Sequence, residues 1–262
     1  MRPWLFTASL ITLLSPFAVA LAADLVAGAK PTIVLVHGAF AGSSSWNGVV
    51  SDLQRDGYPV VAAANPLRSV KGDAAYVAHL LAKISGPVVL VGHSYGGEVI
   101  SVAAASQSNV KALVFVAGYA PEVGESAASL STKYPTGTLT ETLAPPVPLA
   151  DGSKDLYIEQ PRYWKQFAAD VPQAEAVEMA VTQRPVTEAA LAEPVAARSW
   201  QKVPSWFVWG ALDRNIPAAL HAYMAKRAKA RESVEIAGAS HVVMISHSHE
   251  VSAMIERAAE AR

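Results

Sequence analysis

The chain has 262 residues, a formal net charge of −1, 52% apolar and 16% charged residues, and no cysteine. Such a length and composition suit one α/β unit with ample core material. The near-neutral balance and lack of a basic tract argue against nucleic-acid or anionic-membrane partners, and the absence of cysteine excludes disulfides and a lipidated-cysteine anchor.

The N-terminal stretch reads as a secretory signal peptide over residues 1–22. Arg2 supplies a positive start, Trp4 to Val19 is largely apolar with a break at Ser15-Pro16, and Ala20-Leu21-Ala22 offers an A-x-A cleavage site before Ala23. The alternative is a membrane anchor, but the apolar run is shorter than the ~20 residues a span needs. The expected mature domain is therefore 23–262, without a stable membrane anchor, in the periplasm or the medium.

Next come runs that read as strands, those at Ile33–Val36 and Val88–Val91 as buried ones: Ile33–Val36, Val60–Ala63, Val88–Val91, Leu113–Ala117, Trp206–Trp209 and Val234–Ile236. Helical patterns alternate with them, among them Asp73 to Ile84, Gly97 to Ala105 and Pro217 to about Ala230. This alternation predicts a compact, mostly parallel α/β sheet of about six strands with helices on both faces. One insertion, about 119–203, breaks the rhythm. It carries Pro145-Pro146-Val147-Pro148 and helical stretches at Gln160–Ala169, Ala174–Thr182 and Glu188–Ser199, and is expected to form a helical cap. Its large residues, notably Trp164 and Phe167, are candidates for an apolar substrate pocket together with Phe40. For any single one of them, simple packing is the plainer alternative.

The chemistry centres on Gly92-His93-Ser94-Tyr95-Gly96, a G-x-S-x-G turn between a predicted strand and a predicted helix. A serine on such a turn projects its Oγ from strained backbone, and the following helix N-terminus favours developing negative charge. Serine needs a base to take its proton and a carboxylate to orient that base. Asp213 and His241 follow two later strands in the required order Ser, acid, His. Their plainer alternatives are a helix-capping aspartate and an unpartnered loop histidine. Glu122 is a weaker acid candidate. His93 should pack beside the sheet rather than serve Ser94. His79 and His221 read as structural or surface residues. His247 and His249 suggest a metal site only weakly and more simply open the last helix, with Ser246 as N-cap and Glu250 near its positive end. No metal and no cofactor are expected. The oxyanion donors are expected to be the N–H groups of Tyr95 and Ala39, the latter in the His37-Gly38-Ala39-Phe40 loop, with Phe40 second.

These motifs resemble the α/β-hydrolase superfamily, and within it the small bacterial serine esterases related to plant esterases and hydroxynitrile lyases. The resemblance covers about residues 31–260 and rests on His37-Gly38-Ala39-Phe40, Gly92-His93-Ser94-Tyr95-Gly96-Gly97, Gly210-Ala211-Leu212-Asp213 and Ser240-His241. It implies a Ser94–Asp213–His241 triad, an Ala39/Tyr95 oxyanion hole and a small-molecule ester substrate. Lyases of that branch carry threonine where Gly38 stands and lysine where Val242 stands, so this chain departs from the lyase pattern. The remaining alternatives are a haloperoxidase- or perhydrolase-like enzyme, a hydroxynitrile-lyase-like enzyme, or a ligand-binding protein on the same fold. N-terminal sequencing of the exported protein should find a start near Ala23, whereas retention of Met1 in membrane fractions would contradict the signal-peptide reading.

Overall fold

The computed structural model describes residues 30–261, so the expected signal peptide lies outside the described residues. Six parallel strands form one sheet: β1 (Thr32–Val36), β2 (Val60–Ala63), β3 (Val88–His93), β4 (Val110–Val116), β8 (Ser205–Gly210) and β9 (Glu232–Ile236). Their order is β2-β1-β3-β4-β8-β9. Every residue of β3 is buried, as expected for a central strand flanked by helices, and its Val-Val-Leu-Val run shows no polar alternation.

The strand order places the site. The chain steps outward from β1 to β2, then returns to put β3 on the other side of β1. The loops leaving the carboxyl ends of β1 and β3 therefore diverge and leave a crevice, the position where open α/β sheets bind ligands. The His37–Phe40 loop and Ser94 both leave the sheet there.

Two helix groups cover the sheet. Asn47–Arg55 packs with Ser248–Glu260, which also contacts β3, β4 and β8, while Val70–Leu81 packs with Gly96–Ala103, which rests on β1, β3 and β4. The helix read as Asp73 to Ile84 begins three residues earlier, because Ser69 caps it by accepting from the Gly72 N–H at 3.0 Å. Ser246 is not the cap of the last helix. It ends a short separate helix, Val243–Ser246, and His247 occupies the N-cap position without a side-chain cap. Glu250 does fall in the first turn.

The segment between β4 and β8 contains more than the expected helices. Helices Ala127–Lys133, Gln160–Phe167 and Gln173–Thr182 are joined by a small antiparallel sheet of β5 (Val147–Pro148), β6 (Lys154–Leu156) and β7 (Val186–Thr187). The third expected helix stops at Ala192 rather than Ser199. Pro194 is the physical reason: it forces Glu193 into extended backbone, with ψ at 120°. The freed Glu193 carboxylate then accepts from the Val70 N–H at 2.6 Å, at the start of a sheet-covering helix. Among the described residues, no helix is long and apolar enough to cross a membrane.

At the sheet centre, Phe115 on β4 and Phe207 on β8 are paired in register and stack at 4.6 Å between ring centroids. Both are almost fully buried. Phe207→Ala should lower unfolding free energy by about 3–5 kcal/mol, measured as a shift in the urea midpoint. A loss below about 1 kcal/mol would mean that this pair does not anchor the core.

Candidate active site

Ser94 sits between the end of β3 and the helix Gly96–Ala103 with φ at +54°, in the left-handed region that side-chain-bearing residues rarely adopt. Main-chain bonds over-determine this geometry. Ser94 N–H donates to the Val116 carbonyl at 3.3 Å, and the Ser94 carbonyl accepts from Gly97 at 2.9 Å and Tyr119 at 3.1 Å. The flanking glycines are required by crowding. A Cβ on Gly92 would lie 2.6 Å from the Gly96 carbonyl oxygen, and one on Gly96 would lie 2.4 Å from that of Val36. A Cβ on Gly38 would lie 2.6 Å from Ser94 Cβ, so the loop after β1 lies directly against the serine.

Asp213 and His241 come from the next two strand ends. Gly210 closes β8, and a Cβ there would lie 2.3 Å from the carbonyl oxygens of both Ala239 and Ser240. This contact docks the loop after β9 onto the loop after β8. It brings His241 Nδ1 to 2.7 Å from Asp213 Oδ2. The other carboxylate oxygen accepts from Asn215 N–H at 2.8 Å and Ile216 N–H at 2.9 Å. Burial pushes the Asp213 carboxyl up, but the His241 charge and hydrogen bonds from His221 and His241 outweigh it and hold the group well below the usual carboxylate range. The bond from Asp213 fixes the His241 tautomer and leaves Nε2 buried and without a hydrogen-bond partner among the described residues. No hydrogen bond yet joins that nitrogen to Ser94.

Ser94 opens into a cavity of about 580 Å³. Ala39, Phe40, Tyr95 and Phe167 line it, with Leu139, Leu143, Leu156, Leu191 and Ile216 among the apolar walls. Ala39 and Tyr95 N–H groups donate to no backbone carbonyl among the described residues, whereas Phe40 N–H is occupied by the Arg184 carbonyl at 2.9 Å. Phe40 is thereby excluded as an oxyanion donor. Tyr95 turns its side chain away, donating its hydroxyl to Asp73 Oδ2 at 2.9 Å.

Phe167 is fully buried, its ring 5.1 Å from that of His241. Trp164 does not line the cavity. Its indole N–H donates to the Val171 carbonyl at 3.0 Å. On the helix Gln160–Phe167, Tyr163 and Phe167 are four residues apart and share the inward face, while Trp164 is rotated off it.

The other histidines divide clearly. His93 is buried, its ring 4.8 Å from His241, and its Nε2–H donates to the His241 carbonyl at 3.2 Å. His79 is exposed and His249 pairs with Asp52 at the surface. His247 lies near Asp170 and Glu250, and among the described residues no three His, Asp or Glu side chains are grouped to hold a metal. Glu122 pairs with Arg198 instead of His241. The residue that sequence reasoning undervalued is His221. It is buried, with Nε2 3.1 Å from Asp213 Oδ2. The available signal was its place in the first turn of the helix that starts just after the Asp213 loop, which aims it back toward that loop.

Residues 33–254 match the alpha/beta hydrolase family. Norfluorocurarine synthase 2 from Strychnos is 27% identical over 246 residues, covering 83% of this chain and 91% of that protein. Polyneuridine aldehyde esterase has the same fold at a TM-score of 0.75 and 17% identity, over 87% of this chain and 98% of its own. An extracellular α/β-hydrolase from Paenibacillus, described as sharing homology with tobacco salicylic acid binding protein 2, gives a TM-score of 0.73 at 19% identity, over 88% and 100%. The family match spans most of the chain and the six-stranded sheet agrees with it: this protein belongs to the α/β-hydrolase family.

Proposed function

We propose that the protein is a serine hydrolase that cleaves small to medium uncharged carboxylic esters through an acyl-enzyme on Ser94. The observation that carries this reading is the buried Asp213–His241 bond, whose imidazole packs 5.1 Å from Phe167, a wall of the apolar cavity into which the left-handed Ser94 opens. In this reading Ser94 Oγ bonds to the ester carbonyl carbon while its proton passes to His241 Nε2. The oxyanion is held by the N–H groups of Ala39 and Tyr95. The C–O bond to the alcohol then breaks, and His241 returns the proton to the leaving oxygen. Water adds to the acyl carbon with His241 again as base, and the acid leaves as Ser94 Oγ recovers its proton.

Two observations favour hydrolysis over a lyase reaction. The Gly38 position has no room for a β-carbon as the loop is built, so threonine there would displace the nucleophile turn. Val242, at the lyase lysine position, is fully buried and apolar. The comparison proteins include both an esterase and a synthase, so the scaffold alone leaves the reaction open. The cavity walls support this substrate class. Among the described residues Glu188 is the one charged residue that lines the cavity, and it pairs with Lys154 at 3.5 Å. The cavity volume lies within the roughly 300–1,000 Å³ of small-molecule sites. We further propose that the protein acts after export, as the N-terminal sequence suggests.

Ser94→Ala and His241→Ala should each lower kcat by roughly 10⁴-fold or more, with the double variant little worse than either. Asp213→Asn should cost about 10⁴-fold, because the amide cannot hold the imidazole in the needed tautomer. Near-normal turnover by a folded Ser94→Ala protein would refute the hydrolase reading. In a p-nitrophenyl ester series, acetate and butyrate should be cleaved faster than palmitate, and a preference for long-chain emulsions would contradict the proposed substrate size.

A further inference from the structure

Asp213 Oδ2 serves two imidazoles. His241 Nδ1 lies 2.7 Å away and His221 Nε2 lies 3.1 Å away. The Oδ1 atom is already taken by two main-chain N–H groups, so the carboxylate has four donors. The triad requires only His241. His221 is held in place independently: it is 1% exposed, in the first turn of the helix Ala218–Arg227, and stacks on Trp209 at 5.7 Å with 19° between planes. Trp209 is itself fixed by its indole N–H on Glu235 Oε2 at 3.0 Å.

We propose that His221 is a positioning residue that competes with His241 for Asp213 Oδ2 and thereby weakens the hold of the carboxylate on a His241 imidazolium. The proposal rests on the triad reading of Ser94, Asp213 and His241. The titratable groups facing His221 are Asp213, His241 and Glu235, and those facing His241 are Asp213, His221 and His93, whose ring lies 4.8 Å away. Burial disfavours the His221 imidazolium and the carboxylate only partly opposes it, and in this proposal the neutral ring carries its proton on Nε2 for the bond to Asp213. A neutral donor on Oδ2 draws electron density from the carboxylate. The His241 imidazolium is then stabilised less than it would be by an Asp213 with one imidazole partner, and it gives up its proton more readily.

Removing the donor in His221→Leu should move the acid limb of kcat/KM for p-nitrophenyl acetate upward by about 0.5–1 pH unit. His221→Gln, which keeps an N–H donor, should restore most of the wild-type profile. The His241 Nδ1 proton, observed by NMR, should move downfield in His221→Leu as its bond to Oδ2 strengthens. A purely structural His221 would lower Tm in both variants and leave the acid limb and the resonance where they are, and that outcome would overturn the proposal. So would a Gln variant that behaves like the Leu variant. If the Leu variant does not fold, the His221 tautomer in the wild-type protein decides: ¹⁵N spectra must show a neutral ring protonated at Nε2, and protonation at Nδ1 would defeat the idea. Failure of the hydrolase reading is recognised separately, by absence of fluorophosphonate labelling at Ser94, while the NMR readout still tests the shared carboxylate.

Discussion

The carbonyl of Val36, at the end of β1, occupies the space a side chain on residue 96 would need. The turn that carries Ser94 is therefore wedged against its neighbouring strand with only a glycine between them. From that contact the rest of the site takes its coordinates. It sets how high Ser94 rises above the sheet and where the first helical N–H groups point. It also forces the loop after β1 to pass within contact distance of the serine at Gly38. A backbone in the left-handed region costs on the order of 1–3 kcal/mol and persists only where its surroundings leave no alternative. Here three main-chain hydrogen bonds and two glycine contacts supply that constraint.

The same logic extends to the segment inserted between β4 and β8. Phe40 has φ at +60°, and its peptide is held from both sides by that segment: its N–H by the Arg184 carbonyl and its carbonyl by the Tyr163 hydroxyl at 2.8 Å. Ala39, the residue just before it, inherits its orientation. Tyr95 is tied in as well. Its hydroxyl and the Arg68 N–H share Asp73, while the Arg68 guanidinium reaches Asp155 on β6 and the Pro185 carbonyl. The insertion thus roofs the cavity and also holds the two loops that present the N–H groups beside Ser94.

The histidines around the site are buried. His37 is pushed down to about 4 and His93 well below its ordinary value, in both cases chiefly by burial. Neutral imidazoles pack around the site, and Asp213 carries the negative charge there, surrounded by four donors. A lone buried carboxylate is tolerable only when so completely hydrogen-bonded. The low dielectric that makes it costly also strengthens its bonds to the donors around it.

Much of this was legible in the sequence because it is local. Buried parallel strands require continuous apolar runs, so β1, β3, β4 and β8 could be read directly, while the edge strand β9 shows an alternating, half-exposed pattern. A serine between two such glycines, and polar residues just past two strand ends, mark Ser94, Asp213 and His241 without knowledge of their contacts. Pro194 also carried a local signal that ends a helix near Ala192. What depended on contacts between distant segments was not legible. Which face of Gln160–Phe167 turns inward decides Phe167 over Trp164, and that follows from where the helix packs. The two- and three-residue strands β5, β6 and β7 have too few residues for a periodic pattern and exist only through their pairing. His221 shares the Asp213 oxygen because a loop and the helix after it fold back on each other and dock against β9. A side chain's partner across such a distance is set by packing, and packing is a property of the folded chain rather than of any stretch of its residues.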